Sequence, residues 1–343
     1  MKGKHRIIVQ NNRLHYEFEI KRSITIIQGD SATGKTTLIN MVRQHANLGA
    51  ASGIDLSCDV PCRVLEGTEW KLLLEHTSGS ILFIDEENTF VRTEDFAAAA
   101  RDSGNYFVLI TRENLYALPY SVEEIYGLKS SGRYQNTKQI YQQTYRIYSD
   151  QMNLPVHPEK LITEDSNAGY EFFDAVGREA GISCLSAAGK SNLYKMLRKQ
   201  KNEKICVIAD GAAIGPEMNR LYELSLQNPN IVLYFPESFE WIILRSGLID
   251  GKELQKILSE PENHIESREF FSWEQYFVRL LIDYTADGHL RYSKKKLNEV
   301  YLHEKNRKAI LSVMRGIIFE PEDTSYASGF SLGSVGLYSN DDG

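Results

Sequence analysis

The stretch IIQGDSATGKTTLINMV, from Ile26 to Val42, constrains this chain more than any other. It sets Gly29, Gly34, Lys35 and Thr36 in a G-x-x-x-x-G-K-T spacing. Glycines allow backbone angles that side chains forbid, so such a loop can wrap around an anion. Its amide N–H groups then point inward, as a phosphate requires. The flanks agree. SITIIQ (23–28) is β-branched and apolar, as a buried parallel strand is. KTTLINMVRQHAN places Leu38, Met41 and Val42 at helical spacing, and Gly49 stands where the helix would end. Strand, glycine turn and helix together make an α/β unit whose helix N-terminus faces the turn. The expected anion site is the run Gly29, Asp30, Ser31, Ala32, Thr33, Gly34, Lys35, Thr36 and Thr37.

This spacing resembles the Walker A motif of P-loop NTPases. The resemblance implies a nucleoside triphosphate with Mg²⁺, Lys35 reaching the β- and γ-phosphates and the Thr36 hydroxyl on the metal. About fifty residues further on, GSILFIDEEN (79–88) is an apolar strand ending in Asp85 and Glu86. It resembles a Walker B motif, which implies that Asp85 holds Mg²⁺ through water and that Glu86 is the general base for the attacking water. NYFVLITREN (105–114) follows an Ala-rich helix, TEDFAAAARDSG, and ends in Thr111 and Arg112. In P-loop ATPases a polar residue at that place often senses the γ-phosphate. Arg112 would do so, or point at a neighbouring subunit, or be part of an ordinary surface loop. RIIVQ and LHYEFEI flank NNR, a hairpin signal; such a pair precedes the P-loop strand in ABC-type ATPases and their relatives. The interval from Lys35 to Asp85 is too short for the helical insert of a full ABC ATPase, and no L-S-G-G-Q-like signature occurs. No N-K-x-D or T-K-x-D motif supports guanine, so ATP is the expected nucleotide. No arginine-rich lid suggests a small-molecule kinase.

The chain has 343 residues, enough for two ordinary domains. Apolar content of 42% and charged content of 25% fit a soluble globular protein. A net charge of −7 gives no global attraction to nucleic acid or an acidic membrane, so either partner would need a local basic patch. No apolar run approaches a membrane span and the start lacks a signal core, so a cytoplasmic protein with no membrane partner is expected. Cys58 and Cys62 have three residues between them and no second Cys/His pair to complete a zinc site. Cys184 and Cys206 lie in apolar runs and read as buried small hydrophobes.

SSGRYQNTKQIYQQTYRIYSDQMNLPVHPEK (130–160) is polar, rich in tyrosine and glutamine, and ends in two prolines. It reads as a β-rich arm and linker, with a domain boundary between 149 and 159. Its Arg133, Tyr134, Lys138, Tyr141, Tyr145 and Arg146 would either contact nucleic acid or pack on their own domain. From Lys160, strand-like and helix-like runs alternate, which predicts a parallel sheet covered by helices. The expected layout is a first domain over 1–150, a second over 159–260, a helical extension over 261–319 with Trp273, Phe277 and Leu280 on one face, and a Gly/Ser-rich acidic tail over 320–343. The expected fold class is α/β: a P-loop NTPase domain with a parallel sheet, then a second parallel α/β domain with C-terminal helices.

The second domain resembles a Toprim domain over roughly 160–248, on Glu164 after the first strand, Gly189 at the turn, Asp210 after the third strand and Gly215 beyond it. A generic flavodoxin-like domain is the alternative. The resemblance implies catalytic carboxylates, Glu164 and Asp210, holding Mg²⁺. Ala212 stands where the pattern has its second aspartate, which puts cutting in doubt, with Glu217, Glu237 and Glu240 as substitutes. Two basic runs, GKSNLYKMLRKQK (Lys190, Lys195, Arg198, Lys199, Lys201) and RYSKKK (Arg291, Lys294, Lys295, Lys296), would be phosphate contacts or solvated faces. ATPase–Toprim chains of this plan resemble defence-type nucleases. The implied function is an ATPase whose catalytic residues Lys35, Glu86 and Arg112 drive a domain acting on nucleic acid. The alternative is a nucleotide-dependent switch with a protein partner or homo-oligomer.

Overall fold

A computed structural model describes residues 1–29, 34–131, 139–148, 155–200 and 203–319. The expected tail, two stretches of the arm (132–138, with Arg133, Tyr134 and Lys138, and 149–154) and Lys201 fall outside them.

The first part builds on β3 (Ile24–Gln28), the strand that leads into the glycine loop and α1 (Lys35–Leu48). Gly49 caps α1, as its place in the sequence suggested. β1 (His5–Gln10) and β2 (Leu14–Ile20) form the expected hairpin, and β4 (Asp55–Ser57) pairs with β1. β5 (Cys62–Val64), α2 (Trp70–Glu75), β6 (Ile81–Ile84), α3 (Glu94–Ser103) and β7 (Tyr106–Ile110) follow. β8 (Ile125–Ser130) and β9 (Ile140–Arg146) complete a nine-stranded sheet among the described residues, in the order β4-β1-β2-β9-β8-β3-β7-β6-β5.

That sheet is mixed, which corrects the expectation of a parallel one. β8-β3-β7-β6-β5 run parallel, whereas the β1–β2, β1–β4 and β8–β9 pairs are antiparallel. β9 is a strand of the arm. It inserts between β2 and β8 and closes the sheet onto the hairpin, so the backbone pairing of this strand is spent on its own sheet.

The second part is a parallel sheet of β11 (Ser183–Ser186), β10 (Lys160–Thr163), β12 (Ile205–Ile208) and β13 (Ile231–Tyr234), in that order. Helices α4 (Ala168–Ala180), α5 (Lys190–Leu197) and α6 (Met218–Gln227) connect these strands. Beyond them lie α7 (Phe239–Arg245), α8 (Lys252–Ser259), α9 (Trp273–Thr285) and α10 (Glu304–Leu311). Trp273 and Phe277 of α9 are buried in the core under this sheet, as their spacing predicts, with Leu280 packed beside them.

Strand alternation divides the interior into layers. Ile27, Phe83 and Val108 face α1 with Leu38 and Val42. Ile26, Leu82 and Leu109 face the other way, into a core shared with Ile162, Val207, Leu193 and Met218 of the second sheet and its helices. The two sheets therefore share one apolar interior. Hydrogen bonds reinforce it, from the N–H of Val122 to the carbonyl of Gly211 at 3.0 Å and from that of Gly215 to the carbonyl of Tyr120 at 2.9 Å. Among the described residues no helix is long and apolar enough to cross a membrane.

Candidate functional site

At the first sheet's C-terminal edge, β3, β7 and β6 are neighbours, with Ile27 level with Ile110 and Ile84 level with Leu109. Adjacent strands lie about 4.8 Å apart, so Gly29, Thr111–Arg112 and Asp85–Glu86 leave the sheet within about 10 Å of one another. Gly34 caps α1 in the left-handed region, φ 89°. Its carbonyl accepts the Tyr16 hydroxyl at 2.9 Å, and a Cβ there would lie 2.7 Å from that oxygen. The motif's second glycine is thus needed both for its angle and for this approach. Burial pushes the Tyr16 hydroxyl up to about 12, offset in part by a hydrogen bond with Thr37.

Lys35 is buried, and its Nζ donates to the Gly29 carbonyl at 2.7 Å, tying the two ends of the loop together. Thr36 and Thr37 are exposed on the first turn of α1, which carries no acidic residue. That helix end keeps its positive field. Asp30, Ser31, Ala32 and Thr33 lie outside the described residues.

Asp85 is buried at the end of β6, its Oδ1 accepting the N–H of Glu86 at 2.8 Å. Arg112 turns onto Glu86 of its own chain, Nε to Oε2 at 3.1 Å and Nη2 to Oε1 at 3.3 Å. Thr111 is buried and engaged in its own turn, its hydroxyl accepting the Glu113 N–H at 2.9 Å. The donor set suits a magnesium–polyphosphate group: an ammonium and a helix N-terminus for phosphate, a hydroxyl (Thr36) and a carboxylate (Asp85) for a hard cation that otherwise takes its ligands from phosphate and water.

The second sheet's C-terminal edge is also acidic. The chain goes from β10 to β11 on one side and then to β12 on the other, so its order reverses beside β10. Open α/β sheets bind ligands at such a place. Glu164 and Asp210 flank it, the Asp210 N–H lying 3.4 Å from Glu164 Oε2. Together with Asp165, Glu240 and Lys294 they line a cavity of about 20 Å³. Burial, and then the charges of Glu274 and Glu240, push the Asp210 carboxyl well up; burial and Glu274 raise Glu164 too. Lys294 hydrogen-bonds Glu274. Burial works against its ammonium, but Glu274, Glu240 and Asp210 more than offset that and hold it charged.

These residues do not fit a magnesium site. Among the described residues no group of three or more His, Cys, Asp or Glu is placed to hold a metal, and a cation of the chain itself already faces the carboxylates. Ala212 is buried in the apolar core with Phe239, its N–H bonded to the Glu237 carbonyl at 3.2 Å. Of the three substitutes, Glu240 reaches the cavity. Glu237 is held by Arg22, and Glu217 is buried outside the cavity lining. Gly215 answers to packing, since a Cβ would lie 2.3 Å from the Tyr120 ring. Gly189 sits at φ 121° ahead of α5, its N–H on the Glu164 carbonyl at 2.7 Å.

The basic runs divide. Lys195, Arg198 and Lys199 are exposed, and Arg198 lies over the Tyr194 ring at 5.7 Å. Arg220 lies 5.1 Å from the Tyr116 ring and 6.0 Å from that of Tyr194. Arg291, Lys295 and Lys296 are exposed as well, but Lys294 turns inward. Sequence reasoning missed Lys294 as a pocket residue, because a lysine inside a run of lysines carries no mark of a place in a pocket wall. It also missed Arg22, whose only signal was its place just before β3. No family model matches this sequence, and no curated protein matches it.

Proposed function

We propose that this chain binds ATP with Mg²⁺ and hydrolyses it at the C-terminal edge of its first sheet, and that nucleotide state is passed to the second α/β part. The reading rests on one convergence: Lys35 and Thr36 at the start of α1, Asp85 and Glu86 after β6, and Arg112 after the strand between them. Lys35 would exchange the Gly29 carbonyl for phosphate oxygens. Thr36 and Asp85 would hold the metal, whose charge offsets that of the phosphates. Glu86 would orient and deprotonate the attacking water. The Arg112–Glu86 pair is partly exposed, at 52% and 35%, and such pairs contribute only about 0–1 kcal/mol. A polyphosphate can therefore draw Arg112 away from Glu86 at small cost, leaving the base free as the substrate arrives.

Nucleic acid is the partner this reading favours for the second part. The exposed Lys195, Arg198, Lys199 and Arg220, set against Tyr116 and Tyr194, offer phosphate and stacking contacts together. Control of a protein partner or of self-assembly is the second reading, favoured by the poor fit of the acidic pocket to a cutting site. The deciding experiment is ATP hydrolysis with and without DNA or RNA, for the native chain, Lys35→Ala and Glu86→Gln. Hydrolysis lost in both variants and stimulated by nucleic acid supports the coupled enzyme. Hydrolysis indifferent to nucleic acid moves the second part to a protein partner. Hydrolysis that survives both substitutions removes the reading altogether.

A further inference from the structure

The acidic pocket of the second sheet gathers carboxylates, and its geometry points to a counter-ion already in the chain. We propose that Lys294 is a tethered counter-ion: its ammonium takes the place of a divalent metal among Glu164, Asp165, Asp210, Glu240 and Glu274, and makes the pocket metal-independent.

Three observations carry this. First, the cavity measures about 20 Å³ and Lys294 is part of its wall. That is close to the ~15 Å³ needed for one water, leaving little room for a hydrated metal ion beside an ammonium. Second, the segment bearing Lys294 is fastened at several points. The Lys294 carbonyl accepts the N–H of Ala168 at 3.1 Å, at the start of α4. The hydroxyl of buried Tyr292 donates to Glu240 Oε1 at 2.7 Å. The N–H of Leu297 donates to Glu171 Oε2 at 2.6 Å. The lysine is therefore held in place by its neighbours. Third, Lys294 pairs with Glu274 at the N-terminus of α9 and lines the pocket with Glu240 and Asp210, whose charges it feels. One ammonium thus links the charge of the strand-end carboxylates to a helix outside the sheet. The lysine sits in a polar run, RYSKKK, whose other basic side chains are exposed.

This inference is independent of the nucleotide reading, and its test uses the full chain free of nucleotide. Mn²⁺ binding is followed by electron paramagnetic resonance for the native chain, Lys294→Met, Lys294→Arg and Lys294→Met with Asp210→Asn. The native chain and Lys294→Arg are expected to show no Mn²⁺ site that depends on Asp210. Lys294→Met is expected to gain one, weakened about tenfold or more by adding Asp210→Asn. Thermal melts accompany the titration. If Lys294→Met does not fold without metal, the expected result is that Lys294→Arg folds and that millimolar Mg²⁺ rescues only the Met variant. Asp210-dependent Mn²⁺ binding by the native chain overturns the proposal. So does a Lys294→Met chain that melts like the native one and gains no Mn²⁺ site, or one that Mg²⁺ fails to rescue.

Discussion

Arg22 grips Glu237 across the contact between the two sheets, Nη1 to Oε2 at 2.9 Å and Nη2 to Oε1 at 2.6 Å. Arg22 comes just before β3, the strand that ends in the glycine loop, and Glu237 follows β13 in the second sheet. The same guanidinium lies 3.5 Å from Glu124 and 3.6 Å from Glu123, and it stacks 3.6 Å from the centre of the Trp273 ring. The glycine loop and Arg22 thus belong to opposite ends of one strand, and at about 3.3 Å per residue the five residues of β3 span about 17 Å. A contact with the second sheet is thereby tied to the strand that carries the glycine loop.

Arg22→Ala leaves Glu124 and Glu237 without their cation and removes the stacking partner of Trp273. Breaking a buried ion pair by deleting one partner costs about 3–5 kcal/mol. The expected result is a large fall in melting temperature, with Arg22→Lys intermediate because an ammonium cannot bind Glu237 in two-pronged fashion. A denaturant melt of the three chains checks this. A native-like midpoint for Arg22→Ala would show that the shared apolar core alone holds the sheets together.

Glu86→Gln and Arg112→Ala separate the base from its partner. Glu86→Gln keeps the shape and removes the proton acceptor, so ATP binding is expected to persist while turnover falls by about 10²–10⁴. Arg112→Ala frees Glu86 before nucleotide arrives, and a smaller loss in turnover with little change in stability is expected, since the pair is partly exposed. Binding of a fluorescent ATP analogue and release of phosphate, measured on the same samples, distinguish the two. Loss of nucleotide binding in Glu86→Gln would mean that Glu86 holds the fold of the edge and is no base.

Much of this edge was legible in the sequence because strand ends are local. Ile24–Gln28, Ile81–Ile84 and Tyr106–Ile110 were marked by apolar runs, and their polar ends follow by chain order alone. The insertion of β7 between β3 and β6 was not legible, nor was the seat of β9 between β2 and β8, since pairing partners are chosen by packing between distant segments. The second edge was half legible. Glu164 and Asp210 lie side by side as their place after β10 and β12 suggests. Lys294 reaches them from 84 positions beyond Asp210, and no periodicity links a side chain to a cavity so far along the chain. In the sequence Gly215 only matches the last glycine of the Toprim-like pattern, while its neighbour Tyr120 gives it a packing reason that only the fold reveals. Cys184 and Cys206 are buried, as their apolar surroundings indicated.

Gly215→Ala tests the packing reason. Its Cβ would lie 2.3 Å from the Tyr120 ring and 2.5 Å from the Tyr120 carbonyl oxygen. Both belong to the contact between sheets, and the carbonyl cannot move without losing its hydrogen bond from the Gly215 N–H. Overpacking of this kind costs about 1–3 kcal/mol. The expected outcome is a clear drop in melting temperature, relieved in part by Tyr120→Leu in the same chain. An unchanged melt for Gly215→Ala would remove the close-approach argument.

Glu124 makes stability depend on pH in an unusual direction. It is fully buried, Thr25 donates to its Oε2 at 3.2 Å, and burial pushes its carboxyl from the ordinary 4.5 up to about 7. Arg22 and Lys21 work against that rise, Glu123 adds to it, and Arg146 is the remaining basic group that feels Glu124's charge. Between pH 4.5 and about 7 the folded chain keeps a proton that the unfolded chain has lost. Stability then falls as pH rises through that window, because the folded state binds more protons. The contribution is present in full below the lower value and gone above the upper one. Glu124→Gln keeps the shape with no charge to bury, so its melting curve is expected to be flatter over the same window and to exceed the native midpoint on the alkaline side. Melts of both chains across that range provide the check, and parallel pH profiles would show that Glu124 is ionised in the fold throughout.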